Sequence, residues 1–439
     1  MKNKRNYRTL KSRVQSLPMI GKFTIILLLI VIVRMGSSYP LPFVNQEYMR
    51  MVLGLEGLGF LNSITGGSMQ QMSFFALSIS PYITASIIMQ LLTVVIPSME
   101  EMQKDGKTGQ EKFKKITRIT AITLSVIQSA AMAVGLGAQG LLVEYTAQNV
   151  ILAMIIWSIG SITLIGLSEF INWMEVGNGV SILLCSNILA MFPNDVFSLR
   201  DTFLYDHELQ YQIINAVLII SILLVIIAVC VVLGNTSKEI PVIESKKMIG
   251  NAGRSTFPIP LNTCSVMPVI FASSIMSLPL IICSFMGEGD EGWLKHVLNC
   301  LTTTKWFDLE NPAYTIGAVL FFGLTTFFTY FYLDIGFNSY EIAENLKNGG
   351  VTIPGIRPGK PTAEYIKKLS TKIALTGNVV TTAMILLMHL ICNMTGVGEL
   401  NIAGTSILIL VGLVVEERKL ISSVMVSRTT WTRRKQRKK

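Results

Sequence analysis

The stretch SISPYITASIIMQLLTVVIP, residues 78–97, decides how this chain is read. It is apolar enough to cross a bilayer, yet it carries Ser80, Pro81, Tyr82, Thr84, Ser86, Gln90 and Thr93. A helix that only had to sit in lipid needs none of these groups. At about 100° per residue, Ile79, Ile83, Ser86 and Gln90 fall on one face. That face starts apolar near mid-membrane and ends polar. Pro81 removes a backbone donor and favours a bend. Two readings fit: ordinary helix packing with Ser and Gln as interhelical glue, or one wall of a pore whose greasy constriction gates by dewetting.

The surroundings of this stretch are equally apolar. The chain has 439 residues, 51% hydrophobic and only 15% charged, against roughly 25% charged in soluble domains. Apolar runs near the roughly 20 residues a spanning helix needs recur from end to end. Ten spans are expected, at about 22–40, 72–96, 117–137, 149–169, 178–194, 211–234, 262–287, 312–337, 371–396 and 402–417. The fifth and tenth are short. Gly, Pro, Ser and Thr recur inside the spans, as membrane helices tolerate where neighbours satisfy the backbone. The first run is too long for a cleavable signal peptide and lacks a small-residue cleavage site, so none is expected.

Orientation follows from Lys and Arg. Of the 37, 32 fall on the loops that share a side with both termini, and five on the other. Both termini are therefore expected in the cytoplasm, and the net charge of +10 is one-sided. Topology alone accounts for such a charge. It also suits docking of an acidic partner, nucleic acid included.

Several function classes are excluded or disfavoured. No G-x-x-x-x-G-K-[ST] is present, and Gly106-Lys107-Thr108 has only its ending. No span carries a charge near its centre; Arg34, Glu169 and Asp334 sit at span ends. A mid-membrane charge costs at least about 2.5 kcal/mol and usually marks an ion or proton path. Its absence argues against a proton-coupled transporter or pump, though not against a sodium-coupled one. Cys185, Cys230, Cys264, Cys283, Cys300 and Cys392 have no metal spacing and no disulfide framework. His207, His296 and His389 are scattered. No catalytic constellation, metal site or cofactor is expected, so the chain is not read as an enzyme.

Between the first two spans lies GLEGLGFLNSITGGSMQQ, residues 54–71, semi-apolar, Gly-rich and too short to cross. It is either a surface loop or a re-entrant helix, which is allowed only where it is buried in protein or lines a cavity. Set against a greasy constriction, it has the character of a stopper.

Further blocks are RMGSSYPLP (34–42), TRITAITLSVIQS (117–129), GNGVSILL (177–184) and IPLNTCSVMPVIFASSIMSLP (259–279). EIAENLKNGGVTIPGIRPGKPTAEYI (341–366) and GTSILILVGL (404–413) complete the series. In this combination and order, across nearly the whole length, the chain resembles SecY, the channel subunit of the bacterial protein-export translocon. IPGIRPGKPTA is the most specific piece.

The resemblance implies an all-α polytopic membrane protein, with ten transmembrane helices in two pseudo-symmetric five-helix halves around an hourglass pore with a plug. The expected organisation is a basic cytoplasmic N-terminus (1–21), an N-terminal half (22–194) and a C-terminal half (195–417), then a basic cytoplasmic tail (418–439). The plug falls at about 55–70, and cytoplasmic loops at 235–262 and 338–371. By motif position the pore ring falls on Ile79, Ile83, Val180, Leu184, Ile270 and Ile409. All six are aliphatic, as a seal that deforms around a passing chain requires. The lateral gate includes Gln128 and Asn262, and motor or ribosome docking falls on Arg357, Lys360, Lys246, Lys247 and Arg254. Implied partners are SecE-like and SecG-like small membrane subunits, the SecA ATPase or the ribosome, and an unfolded signal-bearing polypeptide. The implied place is the bacterial cytoplasmic membrane, and the implied task is protein secretion and membrane-protein insertion.

Some positions depart from the family pattern. Ser78 and Ser265 stand where the family usually has Gly, and NWMEVGNG lacks an Arg-Gly before its GNG. The loop between spans six and seven keeps IPV but holds only Lys238, Lys246, Lys247 and Arg254 of a usually more basic run. Three alternatives stay open: an accessory SecY paralogue with a narrow cargo, a ten-helix solute transporter, and a membrane scaffold without transport.

Overall fold

A computed structural model describes residues 19–54, 59–204, 209–244, 254–260, 266–286, 293–307, 311–394 and 406–422. Along the chain run α1 (Met19–Ser38), α2 (Gln46–Gly54), α3 (Gly59–Thr65), α4 (Ser80–Val95), α5 (Pro97–Lys104), α6 (Gly106–Ala131), α7 (Ala147–Trp173), α8 (Gly179–Leu204) and α9 (Leu209–Asn235). Then follow β1 (Ser237–Glu244), β2 (Arg254–Pro260), α10 (Met267–Met286), α11 (Trp293–Leu301), α12 (Ile316–Gly336), α13 (Ser339–Asn348), β3 (Val351–Thr352) and α14 (Lys360–Met394). The last described helix, α15, covers 406–422.

Five stretches among the described residues are long and apolar enough to cross a membrane: Met19–Ser38, Thr108–Leu141, Ala147–Trp173, Pro312–Asn348 and Lys360–Ile391. Ser80–Val95 and Pro97–Gln103 pass the same test together but meet at a 112° bend, where Pro97 starts a new helix. Shorter apolar helices at Gly179–Asn194, Leu224–Asn235 and Met267–Cys283 lie within the fifth, sixth and seventh expected spans. Many large apolar side chains point outward, among them Leu27, Leu28 and Ile32 on α1 and Val217, Ile220 and Leu224 on α9. Contiguous exposed apolar surface on this scale needs lipid rather than water around it. The chain is a polytopic, mostly helical membrane protein.

Three local expectations change. The second span was expected from residue 72, but its helix begins at Ser80, and residues 66–79 form turns. Gly66, Gly67, Met72 and Ser78 have φ of +65°, +77°, +48° and +49°, which no right-handed helix accommodates. Pro81 therefore does not bend a helix; it lies in the first turn, where its missing N–H leaves no bond unmade. The third span runs further than expected, from Gly106 to Ala131 and on through a π-helical turn, Met132–Leu141. A small sheet accompanies the helices: β2, β1 and β3 form three strands in that order outside the apolar stretches.

The chain divides into two compact units. The first comprises residues 1–199, 276–302 and 416–439. Its core gathers Val44, Met49, Met72, Leu136, Leu141 and Trp157, with Leu280 joining from later in the chain. Close backbone contact tightens it: a Cβ on Gly160 of α7 would lie 2.1 Å from the Phe74 carbonyl oxygen. Arg118 of α6 pairs with Glu169 of α7. Lys22 is fully buried, and its Nζ donates to the Met174 carbonyl at 2.7 Å, serving the C-terminal end of α7.

The second unit comprises residues 200–275 and 303–415. Its sheet pairs β1 antiparallel with β2 from Ser237↔Pro260 to Ile243↔Arg254, and with β3 at Ile243↔Thr352. Ile240, Val242 and Ile259 pack on Ile353, Ile366 and Ile373. Within the apolar part, α12 and α14 are joined by Thr325 to Thr382 (3.2 Å) and Asn378 to Thr326 (3.0 Å).

Candidate functional site

The helix α3 is seven residues long and cannot span, yet Leu61, Asn62, Ser63, Ile64 and Thr65 are all buried. A buried helix end must satisfy its last carbonyls. Here Gly67 N donates to Asn62 O and Gly66 N to Ser63 O, both at 3.1 Å. This is a Schellman ending, with Gly66 in the left-handed region it requires. Ser68 Oγ donates to Thr65 O at 2.7 Å. Two carbonyls are left, and side chains from two other helices take them. Asn187 Nδ2, on α8, donates to Ile64 O at 2.7 Å. Arg34 Nη1, on α1, donates to Gly66 O at 3.1 Å. Arg34 Nη2 also donates to Asn187 Oδ1, so the two side chains grip each other as well as the helix end. Asn187 Nδ2 reaches Ser78 Oγ too, at 2.9 Å. Of the expected plug residues, 55–58 lie outside the described residues.

All six expected ring residues are buried. Ile79 immediately precedes α4 and Ile83 sits in its first turn, while Val180 and Leu184 occupy the first two turns of α8. The Asn187–Ser78 bond links these two helix systems within the first unit. Ile270 lies in the first turn of α10 and Ile409 in that of α15. A Cβ on Gly412 would lie 1.9 Å from Val266 Cγ2, so these two segments run in close contact within the second unit. Gln128 lies on α6, and its Oε1 is buried with no partner among the described residues. Asn262 lies outside them.

The GNG motif has a local physical reason. A Cβ on Gly179 would come 2.0 Å from Ser168 O, and one on Gly177 would come 2.0 Å from Glu417 Oε2. The buried Glu417 carboxylate accepts from Asn178 N at 3.0 and 3.2 Å. Asn178 Oδ1 accepts from Val180 N at 3.2 Å and Asn172 Oδ1 from Gly179 N at 2.7 Å. These side-chain acceptors satisfy N–H groups at the start of α8 that have no intrahelical partner. Glu175, in the segment that lacks the expected Arg-Gly, has φ +55°.

On the second unit, Arg357 is exposed in a loop between Gly355 (φ +80°) and Gly359 (φ +103°). Thr362 Oγ1 donates to the Arg357 carbonyl at 2.8 Å and fixes the loop against the start of α14. Lys360 is exposed at that start. Arg254 lies on β2 opposite Ile243, while Lys246 and Lys247 lie outside the described residues. The sheet thus joins the loop after α9 to the loop after α13.

Sequence reasoning passed over Arg34, counted only as a span-end charge, and Asn187. A lone amide inside SILLCSNILAMF was the available signal. Buried amides in apolar helices need a partner, and that partner is often the functional contact.

The helix α3 is thus a non-spanning helix buried among apolar helices of the first unit of a polytopic membrane protein. The chain has the fold of solved protein-conducting channels. Over 91% of both chains its TM-score is 0.66, at 18% identity, with a SecY channel described by a plug domain that stabilises its closed state and maintains a membrane seal. With canine Sec61 in a ribosome–channel complex from the endoplasmic reticulum the score is 0.61, at 16% identity and 91% coverage of each. Residues 73–417 match SecY, and the chain belongs to the SecY family. It is 34% identical over 432 residues to the protein translocase subunit SecY of Streptomyces galbus, covering 93% of this chain and 95% of that one.

Proposed function

We propose that this chain is the protein-conducting pore of a bacterial translocase. It passes unfolded, signal-bearing polypeptides across the cytoplasmic membrane and releases apolar segments sideways into the bilayer. Family membership along 93% of the chain carries this reading, and the seated helix α3 gives it a closed state. Ile79, Ile83, Val180, Leu184, Ile270 and Ile409 form the constriction. Apolar side chains offer a passing chain no fixed bond and exclude hydrated ions by dewetting. The orphan acceptor of Gln128 supports a polar partner at a lateral gate shared with Asn262. Both termini face the cytoplasm, in keeping with the distribution of Lys and Arg.

The energy for transport comes from outside the chain, from SecA or a translating ribosome. Arg357 and Lys360, together with Arg254 on β2 and with Lys246 and Lys247, which lie between β1 and β2 in sequence, form the docking face. The loop between two left-handed glycines presents Arg357 outward. SecE-like and SecG-like subunits complete the complex. Expression of the chain in a bacterium depleted of its own SecY tests the function. Rescued secretion of a signal-bearing reporter is the expected result. A folded, SecE-bound chain that exports nothing overturns the general role and leaves a narrow cargo; one that binds no SecE overturns the channel.

A further inference from the structure

We propose that Arg34, Asn187 and Ser78 form a clasp that holds the plug shut and sets the threshold for opening in this chain. The proposal deepens the channel reading and rests on it. The clasp is built from three separate segments: α1, α8 and the turn before α4. It acts on two backbone carbonyls, Ile64 O and Gly66 O, that have no other partner among the described residues. Gly66 has no room for a side chain: a Cβ there would lie 2.7 and 2.8 Å from the two Arg34 Nη atoms and 2.9 Å from Asn187 Cα. Arginine suits the task because its planar fork reaches the carbonyl and the amide oxygen together, which a lysine does not.

Ser78 makes the clasp particular to this chain. The family resemblance leads one to expect glycine there, and φ of +49° is the reason. A serine at that φ is strained, and its hydroxyl accepts from Asn187 Nδ2. The strained residue is therefore tied to the residue that grips the plug, so the turn before α4 and the helix end are held by one amide.

The seat is also poised for release. Arg34 Nε, Asn62 Oδ1 and Ser63 Oγ are buried with no partner among the described residues. Buried polar atoms without partners carry a desolvation penalty. Displacing the plug brings water to all three, which offsets part of the loss of the clasp. A closed state held by a few bonds over underpaired groups opens when a signal segment or a motor supplies a modest bias.

The test uses the full chain with its small membrane partner in nanodiscs. Backbone amide exchange is followed at residues 59–68 and, as a control, at 237–244. Arg34→Lys keeps the charge and loses the fork; Asn187→Leu removes both donors and the acceptor without a charge change. Each should speed exchange at 59–68 by about tenfold or more, the factor that corresponds to ~1.4 kcal/mol, with the control unchanged. Both variants should also raise resting ion conductance and export a reporter whose signal has been weakened. Should Arg34→Lys fail to fold, Asn187→Leu carries the same expectation alone. Folded variants whose plug exchange stays within about twofold of the parent overturn the clasp. Faster exchange without added conductance leaves the clasp standing and counts instead against the plug as the seal.

Discussion

The helix α3 and the strand pair β1–β2 are both short, and neither crosses a bilayer, yet they are held by opposite means. The strands are held by a continuous ladder from Ser237 to Ile243 and by a dry layer of Ile240, Val242, Ile259, Ile353, Ile366 and Ile373. The helix is held at its end by single hydrogen bonds from side chains on distant helices, with unpartnered polar atoms beside them. An apolar layer is lost gradually and at high cost, since every contact must be given up. A few directional bonds are lost together once the geometry shifts. The first construction suits a platform on which partners push, and the second suits an element that must leave its seat and return.

The largest expected effect falls on the platform. Ile366→Ala removes a fully buried side chain and should destabilise the sheet region by about 2–5 kcal/mol. Amide exchange should accelerate across 237–244 and 254–260 while 59–68 stays protected. Coupled loss at both places would break the comparison. Gly66→Ala is the converse. A left-handed φ costs a non-glycine residue about 1–2 kcal/mol, and the added Cβ also collides with the Arg34 guanidinium. Exchange should rise at 59–68 and leave the sheet untouched.

Ser78→Gly sharpens the contrast further, because two effects oppose each other. Relief of the strained φ gains about 1 kcal/mol, and loss of the Asn187 bond gives up about 0.5–1.5 kcal/mol. Global stability should barely change by thermal unfolding, while plug exchange rises a few-fold. The smallest effect is expected at Lys367→Ala, which breaks an exposed pair with Asp334 (2.9 Å). Such pairs contribute about 0–1 kcal/mol, so neither the unfolding midpoint nor exchange should move measurably.

The spans were legible because lipid imposes one requirement on twenty residues at a time, and that requirement shows in composition. What composition averages away was not legible. Residues 72–79 are apolar enough to begin the second span, but Ser68 Oγ bonds the Phe75 carbonyl, Ser73 Oγ bonds the Ser68 carbonyl, and the left-handed Met72 and Ser78 keep the helix from starting. The hairpin carries a period-two signal at Ile240 and Val242 and again at Phe257 and Ile259. Pro241, Pro258 and Pro260 in the same strands obscured it. The clasp was hidden for another reason: Arg34 and Asn187 are 153 positions apart, and neither belongs to a motif that local spacing exposes. Burial does not single out the six expected ring residues either, because buried aliphatics surround them on every helix they belong to.

The helix α14 has 35 residues, about 52 Å at ~1.5 Å per residue, whereas the hydrocarbon core is about 30 Å thick. Roughly 20 Å of one unbroken rod therefore stands clear of the membrane, with its only proline, Pro361, at the first turn where it bends nothing. A continuous helix of this length couples its two ends mechanically, because its backbone hydrogen bonds run unbroken between them. A sideways push on the loop that carries Arg357 would therefore reach the membrane-embedded part of the helix as a tilt of the whole rod.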